Sequence, residues 1–235
     1  MLAVFKKELR SYFTSVIGYV FLVLYLSLAT LILVYTTLYS MSADVTPFFT
    51  AMIFVSAVAL PLLTMKSFSE EKKGKTEQLL LTAPVSIIGI VIGKFLAAYV
   101  LFAGCMILNT LYCLVLMNYA VLKVGTLFGC LLALLLIGLV FIAIGIFVSA
   151  LTENQLTAAI GTIGIILAFL GVGLISLVIP SNYGVRYVFN FLSIFTRFQS
   201  FLSGYIDFAS IIYYISVAAI FVYLTVRIYD RRRYN

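Results

Sequence analysis

The sequence predicts an all-α integral membrane protein: six transmembrane helices, an amphipathic interfacial helix at the N-terminus, a cytoplasmic charged helix, and short external re-entrant or interfacial helices before the last span. Three observations carry that prediction. The 235 residues are 64% apolar and 10% charged, with a mean hydropathy of +1.21, whereas soluble domains carry about 25% charged residues. Several segments run past roughly 18 residues without a charge, enough to cross about 30 Å of hydrocarbon. The alternation over about ten residues that marks a membrane β-barrel strand is absent.

Residues 1–14 place Leu2, Phe5, Leu9 and Phe13 at helical spacing, with Lys6, Lys7, Glu8 and Arg10 mostly opposite. That pattern suits a helix lying in the membrane interface. A first span follows over 16–39. It exceeds the roughly 7–15 residues of a signal-peptide core and no small-x-small cleavage site follows, so it reads as uncleaved. The link 40–46 holds Asp44 but no Lys or Arg, and Pro47 suits the first turn of the next helix. The second span covers 48–65, with Pro61 expected to kink it because proline lacks the backbone donor.

Residues 66–85, KSFSEEKKGKTEQLLLTAPV, hold seven of the chain's 23 charged side chains. Such an island of charge belongs in water. Pro84 stops the short helix expected here, and Ser86 can cap the next. A third span covers 87–118, and a link with Lys123 leads to a fourth over 124–151. Thr152, Glu153, Asn154 and Gln155 form a tight turn before a fifth, 156–179, which ends at Pro180. Residues 181–208 are aromatic-rich, with Arg186, Arg197 and Asp207 scattered among them. They read as short helices in the interface or as an aromatic belt. The sixth span covers 209–228, followed by the basic tail RIYDRRRYN.

Charge then orients the chain. Six spans put both termini on one side. If that side is cytoplasmic, it holds Lys6, Lys7, Arg10, Lys66, Lys72, Lys73, Lys75, Lys94, Arg227, Arg231, Arg232 and Arg233, which is 12 of the 15 basic residues. This is the asymmetry of a multi-pass protein with cytoplasmic termini, expected in the plasma membrane of a bacterium. The net charge of +7 is therefore a topology and lipid-surface signal and points to no nucleic acid.

Function is narrowed by what is missing. There is no histidine, the commonest general base and metal ligand. Lys94 and Glu153 fall near span ends, where snorkelling or a turn accounts for them, so no span interior offers the ionisable groups of an ion-coupled carrier. Cys105, Cys113 and Cys130 read as small core residues. No GxxxxGK[ST] phosphate loop occurs. The chain is thus expected to hold no catalytic residue, metal or cofactor. Two GxxxG pairs, Gly89/Gly93 and Gly125/Gly129, serve contacts within the chain or between chains, and Ala158, Gly161, Thr162, Gly164 and Ala168 give the fifth span a face suited to self-association.

What remains is a membrane domain without a power source and with one charged helix. Glu70, Glu71, Lys72, Lys73, Lys75 and Glu77 can make polar contacts with a soluble partner, while Leu79, Leu80 and Leu81 anchor the segment to the spans. A solvated loop would account for the lysines. It leaves three acids and the leucine triplet unexplained.

The segment Phe68, Ser69, Glu70, Glu71, Lys72, Lys73, Gly74, Lys75, Thr76, Glu77, Gln78, Leu79, Leu80, Leu81, Thr82, Ala83, Pro84, Val85 resembles the cytoplasmic coupling region of the membrane permease subunits of type-2 ABC exporters. Ser149, Leu151, Thr152, Asn154 and Gln155 match that family's second cytoplasmic contact. The N-terminal helix is similar to its connecting helix, residues 181–208 to its external re-entrant helices, and the order of parts covers nearly the whole chain. Lys72 and Lys73 depart from a region that is often arginine-rich. The resemblance implies an ATP-driven exporter in which two permease chains, identical or sister subunits, enclose a pathway and two separate ABC ATPase subunits bind the cytoplasmic helices. ATP and Mg would sit on those ATPases. ATPase-docking residues would be Glu70, Glu71, Lys72, Lys73, Lys75, Glu77, Leu79 and Leu80, with Thr152, Glu153, Asn154 and Gln155 as a second contact. The alternative is a six-span scaffold or a resistance or immunity protein that binds a peptide or membrane partner without ATP.

Overall fold

The computed structural model describes residues 1–39, 44–78, 86–116, 124–178 and 193–234. Leu79, Leu80, Leu81, Pro84, Lys123, Pro180 and Arg186 lie outside the described residues, as do residues 181–192 of the aromatic-rich segment. Every regular element among the described residues is helical, and six helices are long and apolar enough to cross a membrane. The chain is a multi-pass membrane protein.

Helix α1 (Leu2–Thr14) ends at Ser15, whose extended backbone breaks the helix and whose hydroxyl accepts from the Gly18 N–H to start α2 (Val16–Leu33). Gly18 is needed there, because a Cβ would lie 1.8 Å from the Tyr12 carbonyl oxygen. Beyond Leu33 the first span widens into a π-helical turn, Val34–Tyr39. Helix α3 (Thr46–Thr64) follows, with Pro47 in its first turn and Pro61 inside it, and runs through a single helical residue, Met65, into α4 (Lys66–Lys73). Then come α5 (Ile87–Leu116), α6 (Val124–Leu151), α7 (Gln155–Val178), the short α8 (Ile194–Leu202) and α9 (Phe208–Tyr234).

Helix α6 is the centre of the bundle. It packs against α3, α4, α5, α7, α8 and α9, and 67% of its spanning window is buried, against 28% for α2 and for α9. Glycine makes the close approaches possible: a Cβ at Gly138 would lie 2.0 Å from the Phe102 ring and one at Gly145 2.1 Å from the Thr64 hydroxyl. In α2, the buried Tyr25 hydroxyl is 2.9 Å from the Ser56 hydroxyl and its ring meets Phe102 edge-on.

The small residues have mixed roles. Gly93 lets α1 lie on α5, with Val4 3.2 Å from where its Cβ would be, and Gly129 lies against the Phe201 carbonyl of α8. Both GxxxG pairs therefore include intrachain contacts. On α7, Ala158 and Thr162 are buried inside the chain while Gly164 and Ala168 are exposed. The expected single small-residue face is split, since helical spacing puts 158 and 162 on a different side from 164 and 168. At the end of the bundle remote from α4, Ser193 caps α8, the Tyr214 hydroxyl donates to the Ile194 carbonyl, and Asp207 caps α9 through the Ala209 N–H.

Candidate functional site

The charged segment forms a shorter helix than the sequence suggested. Gly74 closes α4, its N–H returning to the Glu70 and Lys72 carbonyls. Lys75 then takes a left-handed φ of 54°, a conformation uncommon for a residue with a Cβ. The helix cannot run on, and the Thr76 N–H turns back to the Glu71 carbonyl.

The first turn of α4 is buried at Ser67, Phe68 and Ser69 and is held from several sides. The first hold comes from α6. The Ser149 hydroxyl accepts from the N–H groups of Phe68 (3.0 Å) and Ser69 (3.1 Å) and donates to the Met65 carbonyl (3.0 Å). One hydroxyl thus satisfies three backbone groups at the α3–α4 junction, using its single donor and both acceptor sites.

The second hold corrects the reading of Lys94. This side chain does not snorkel: it is only 2% exposed, and its ammonium contacts Glu8 of α1 (3.1 Å), Glu71 of α4 (2.9 Å) and the Ser67 carbonyl (2.6 Å). It also lies 4.9 Å from the centre of the Phe68 ring. Three donors meet three acceptors, the condition under which a buried ammonium can persist. The cluster binds α1, α4 and α5 into one unit. Beside it, burial and the Glu8 carboxylate raise the Tyr12 phenol above its usual range, so it stays neutral.

The third hold comes from α9. Tyr229 packs its ring 4.6 Å from that of Phe68, and Arg232 reaches Glu77 at 2.9 Å while lying over the Tyr229 ring.

The residues expected to meet a partner therefore divide into groups. Glu71 and Glu77 are engaged inside the chain. Glu70, Lys73 and Lys75 are exposed, and Glu70 makes only a 3.8 Å contact with Lys66, a surface pair of little energetic weight. Lys72 lies within electrostatic reach of both Glu77 and Glu153, so the α6–α7 turn and α4 share one surface. In that turn Glu153 and Asn154 are exposed, Thr152 and Gln155 are half-buried, and the Asn154 side chain caps α7 by accepting from the Leu156 N–H (3.0 Å). Leu79 and Leu80 lie outside the described residues.

Sequence reasoning gave Lys94, Glu8, Tyr229 and Arg232 no part in this site, and it placed Phe68 and Ser149 in family motifs without the contacts they make. Two signals were available: a lone acid among the bases of an amphipathic helix, and a lysine seven residues into an apolar run.

The sequence profile described as "ABC-2 family transporter protein" matches residues 2–233. The chain belongs to the ABC-2 transporter family. No curated protein matches it at a significant level. ABC-2 membrane subunits are transport permeases, generally not catalytic themselves, and typically partner with an ATPase subunit. In this ABC-2 permease, four neighbouring elements, α1, α5, α6 and α9, hold α4.

Proposed function

We propose that this chain is the transmembrane subunit of an ATP-driven exporter in the plasma membrane, with both termini cytoplasmic, and that α4 with the turn after it couples a separate ATPase to the spans. One observation carries the reading: α4 is fixed to α1 and α5 through Lys94, to α6 through Ser149 and to α9 through Tyr229. A displacement imposed on it by closure of an ATPase dimer therefore moves the spans as a body. The docking face comprises Glu70, Lys73, Lys75, Glu153 and Asn154. Glu71 and Glu77 keep the helix seated. The pathway forms with a second permease chain, identical or a sister subunit.

The test uses co-expression with an ATPase from a neighbouring reading frame. Reversing Glu70, Lys73, Lys75 and Glu153 together abolishes co-purification while the thermal stability of the permease is unchanged, because exposed pairs contribute about 0–1 kcal/mol. Intact co-purification, or hydrolysis by the ATPase that is indifferent to the permease, sinks the coupling assignment. Function that persists without ATP returns the scaffold reading.

A further inference from the structure

Two cavities on one side of the bundle adjoin. The first is a groove of about 580 Å³ between α2 and α3, with walls almost wholly apolar. Its rim residues Val20, Leu24, Phe54 and Val58 are about half exposed, whereas its floor, Phe21 and Tyr25, is buried. It is thus an apolar recess open along the side of the chain. The second is a polar cavity of about 230 Å³ between α1, α4 and α5, lined by Lys7, Lys66 and Lys94 and by Glu8, Glu70 and Glu71. Ile17 lines both, so the polar cavity and the apolar groove meet at that side chain.

The dimensions match one leaflet. From Ile17 to Leu28 the groove follows eleven residue steps of α2, about 16 Å at 1.5 Å per residue, and half of a 30 Å hydrocarbon core is about 15 Å. An unfilled recess of this size forfeits the dispersion contacts of its lining, so a chain of CH₂ groups fills it in a bilayer. The polar end selects the headgroup by charge. Lys94, Glu8 and Glu71 are engaged with one another, which leaves Lys7 and Lys66 to face a phosphate and Glu70 to face an ammonium, so both signs are in reach of a headgroup that carries both.

We propose that the two cavities form one seat for a glycerophospholipid of the leaflet on the α4 side, an acyl chain in the groove and a zwitterionic, primary-amine headgroup in the cavity. The phosphate faces Lys7 and Lys66 and the amine faces Glu70. The lipid packs against the cluster that joins α1 to α4, so its presence stiffens the same junction. The seat requires only a bilayer around the chain, and its failure leaves the coupling proposal untouched.

The experiment places the full chain in nanodiscs of equal parts phosphatidylethanolamine and phosphatidylglycerol, with one or the other carrying a diazirine midway along its acyl chain. After irradiation, the phosphatidylethanolamine probe labels residues 20–28 and 54–62 at least about tenfold more, per residue, than the equally exposed apolar face of α9 at Ile212 and Ile215. The phosphatidylglycerol probe shows no such contrast. Val58→Trp, at the half-exposed rim, removes the excess, and Glu70→Lys shifts the preference toward phosphatidylglycerol. Labelling of α9 equal to that of the groove in the unaltered chain overturns the proposal without reliance on any variant. Equal labelling by both probes overturns the headgroup assignment.

Discussion

Replacing Lys94 by methionine keeps most of the side-chain volume and removes the charge. Glu8 and Glu71 then face one another across the same space with no cation between them, and the Ser67 carbonyl loses its donor. Removing one partner of a buried pair costs about 3–5 kcal/mol. The lower end applies here, because the two glutamates retain 16% and 18% side-chain exposure and water can reach them. About 3 kcal/mol in a chain of this size lowers the melting temperature by about 6–12 °C. The buried free thiols of Cys105, Cys113 and Cys130 supply the assay, since a thiol-reactive fluorogenic dye in detergent reports their exposure on heating. The decisive comparison is the triple variant Glu8→Gln, Lys94→Met, Glu71→Gln, which removes all three charges. It recovers most of the loss, because an ion cluster replaced as a whole by neutral groups is often nearly neutral in stability. A fall under about 2 °C in the single variant, or a triple variant as unstable as the single one, refutes the argument that this cluster ties α1, α4 and α5 together.

Other perturbations probe neighbouring parts. Ser149→Ala removes the hydroxyl acceptor of the buried Phe68 and Ser69 N–H groups; at about 1–3 kcal/mol per orphaned group the same dye assay shows a loss of about 2–6 kcal/mol. Gly138→Ala pushes a methyl into the fully buried Phe102 ring and costs about 1–3 kcal/mol, with partial rescue by Phe102→Leu. The Asp207 carboxyl lies below the usual range, chiefly because the Ser210 hydroxyl donates to it and further because the Ala209 N–H does. A lowered folded-state pKa contributes stability that is present above the unfolded value and is lost as pH falls through the folded one. Asp207→Asn is therefore less stable than the unaltered chain at neutral pH, and the difference vanishes in acid, as measured by circular-dichroism melts.

The gross fold was legible because hydropathy over roughly 18 residues records the thickness of the bilayer. The fold class, six long apolar helices among them, follows from run length alone. The site was legible only where its signal is local. The charge island and the turn at 152–155 are readable from a few adjacent residues; the break at Gly74 was not anticipated, because the expected helix ran on to Pro84. Lys94 was misread because its partners are far away in sequence: Glu8 lies 86 residues and Glu71 23 residues back. Ser149 serves amides some 80 residues away; the motif around it marks the residue, but nothing near it announces those partners. The acids among the lysines were taken as a sign of an external partner. All three have partners within the chain, Glu70 through its exposed 3.8 Å pair with Lys66, so that inference now rests on the exposure of Glu70 and on the family's architecture.

The single helical residue between α3 and α4 gives the pair a mechanical property. With Met65 in helical conformation, the two helices form one rod, held near its lower end by the Ser149 hydroxyl. Its arms are unequal: about 9 Å from Ser67 to Lys73, and about 28 Å from Met65 to Thr46, at 1.5 Å per residue. On the proposed coupling, the spans tied to this rod tilt with it, and a displacement of about 1 Å at Lys73 about the level of Ser149 becomes about 3 Å at Thr46. The length of the second span then sets the gain of the movement passed to the far end of the bundle.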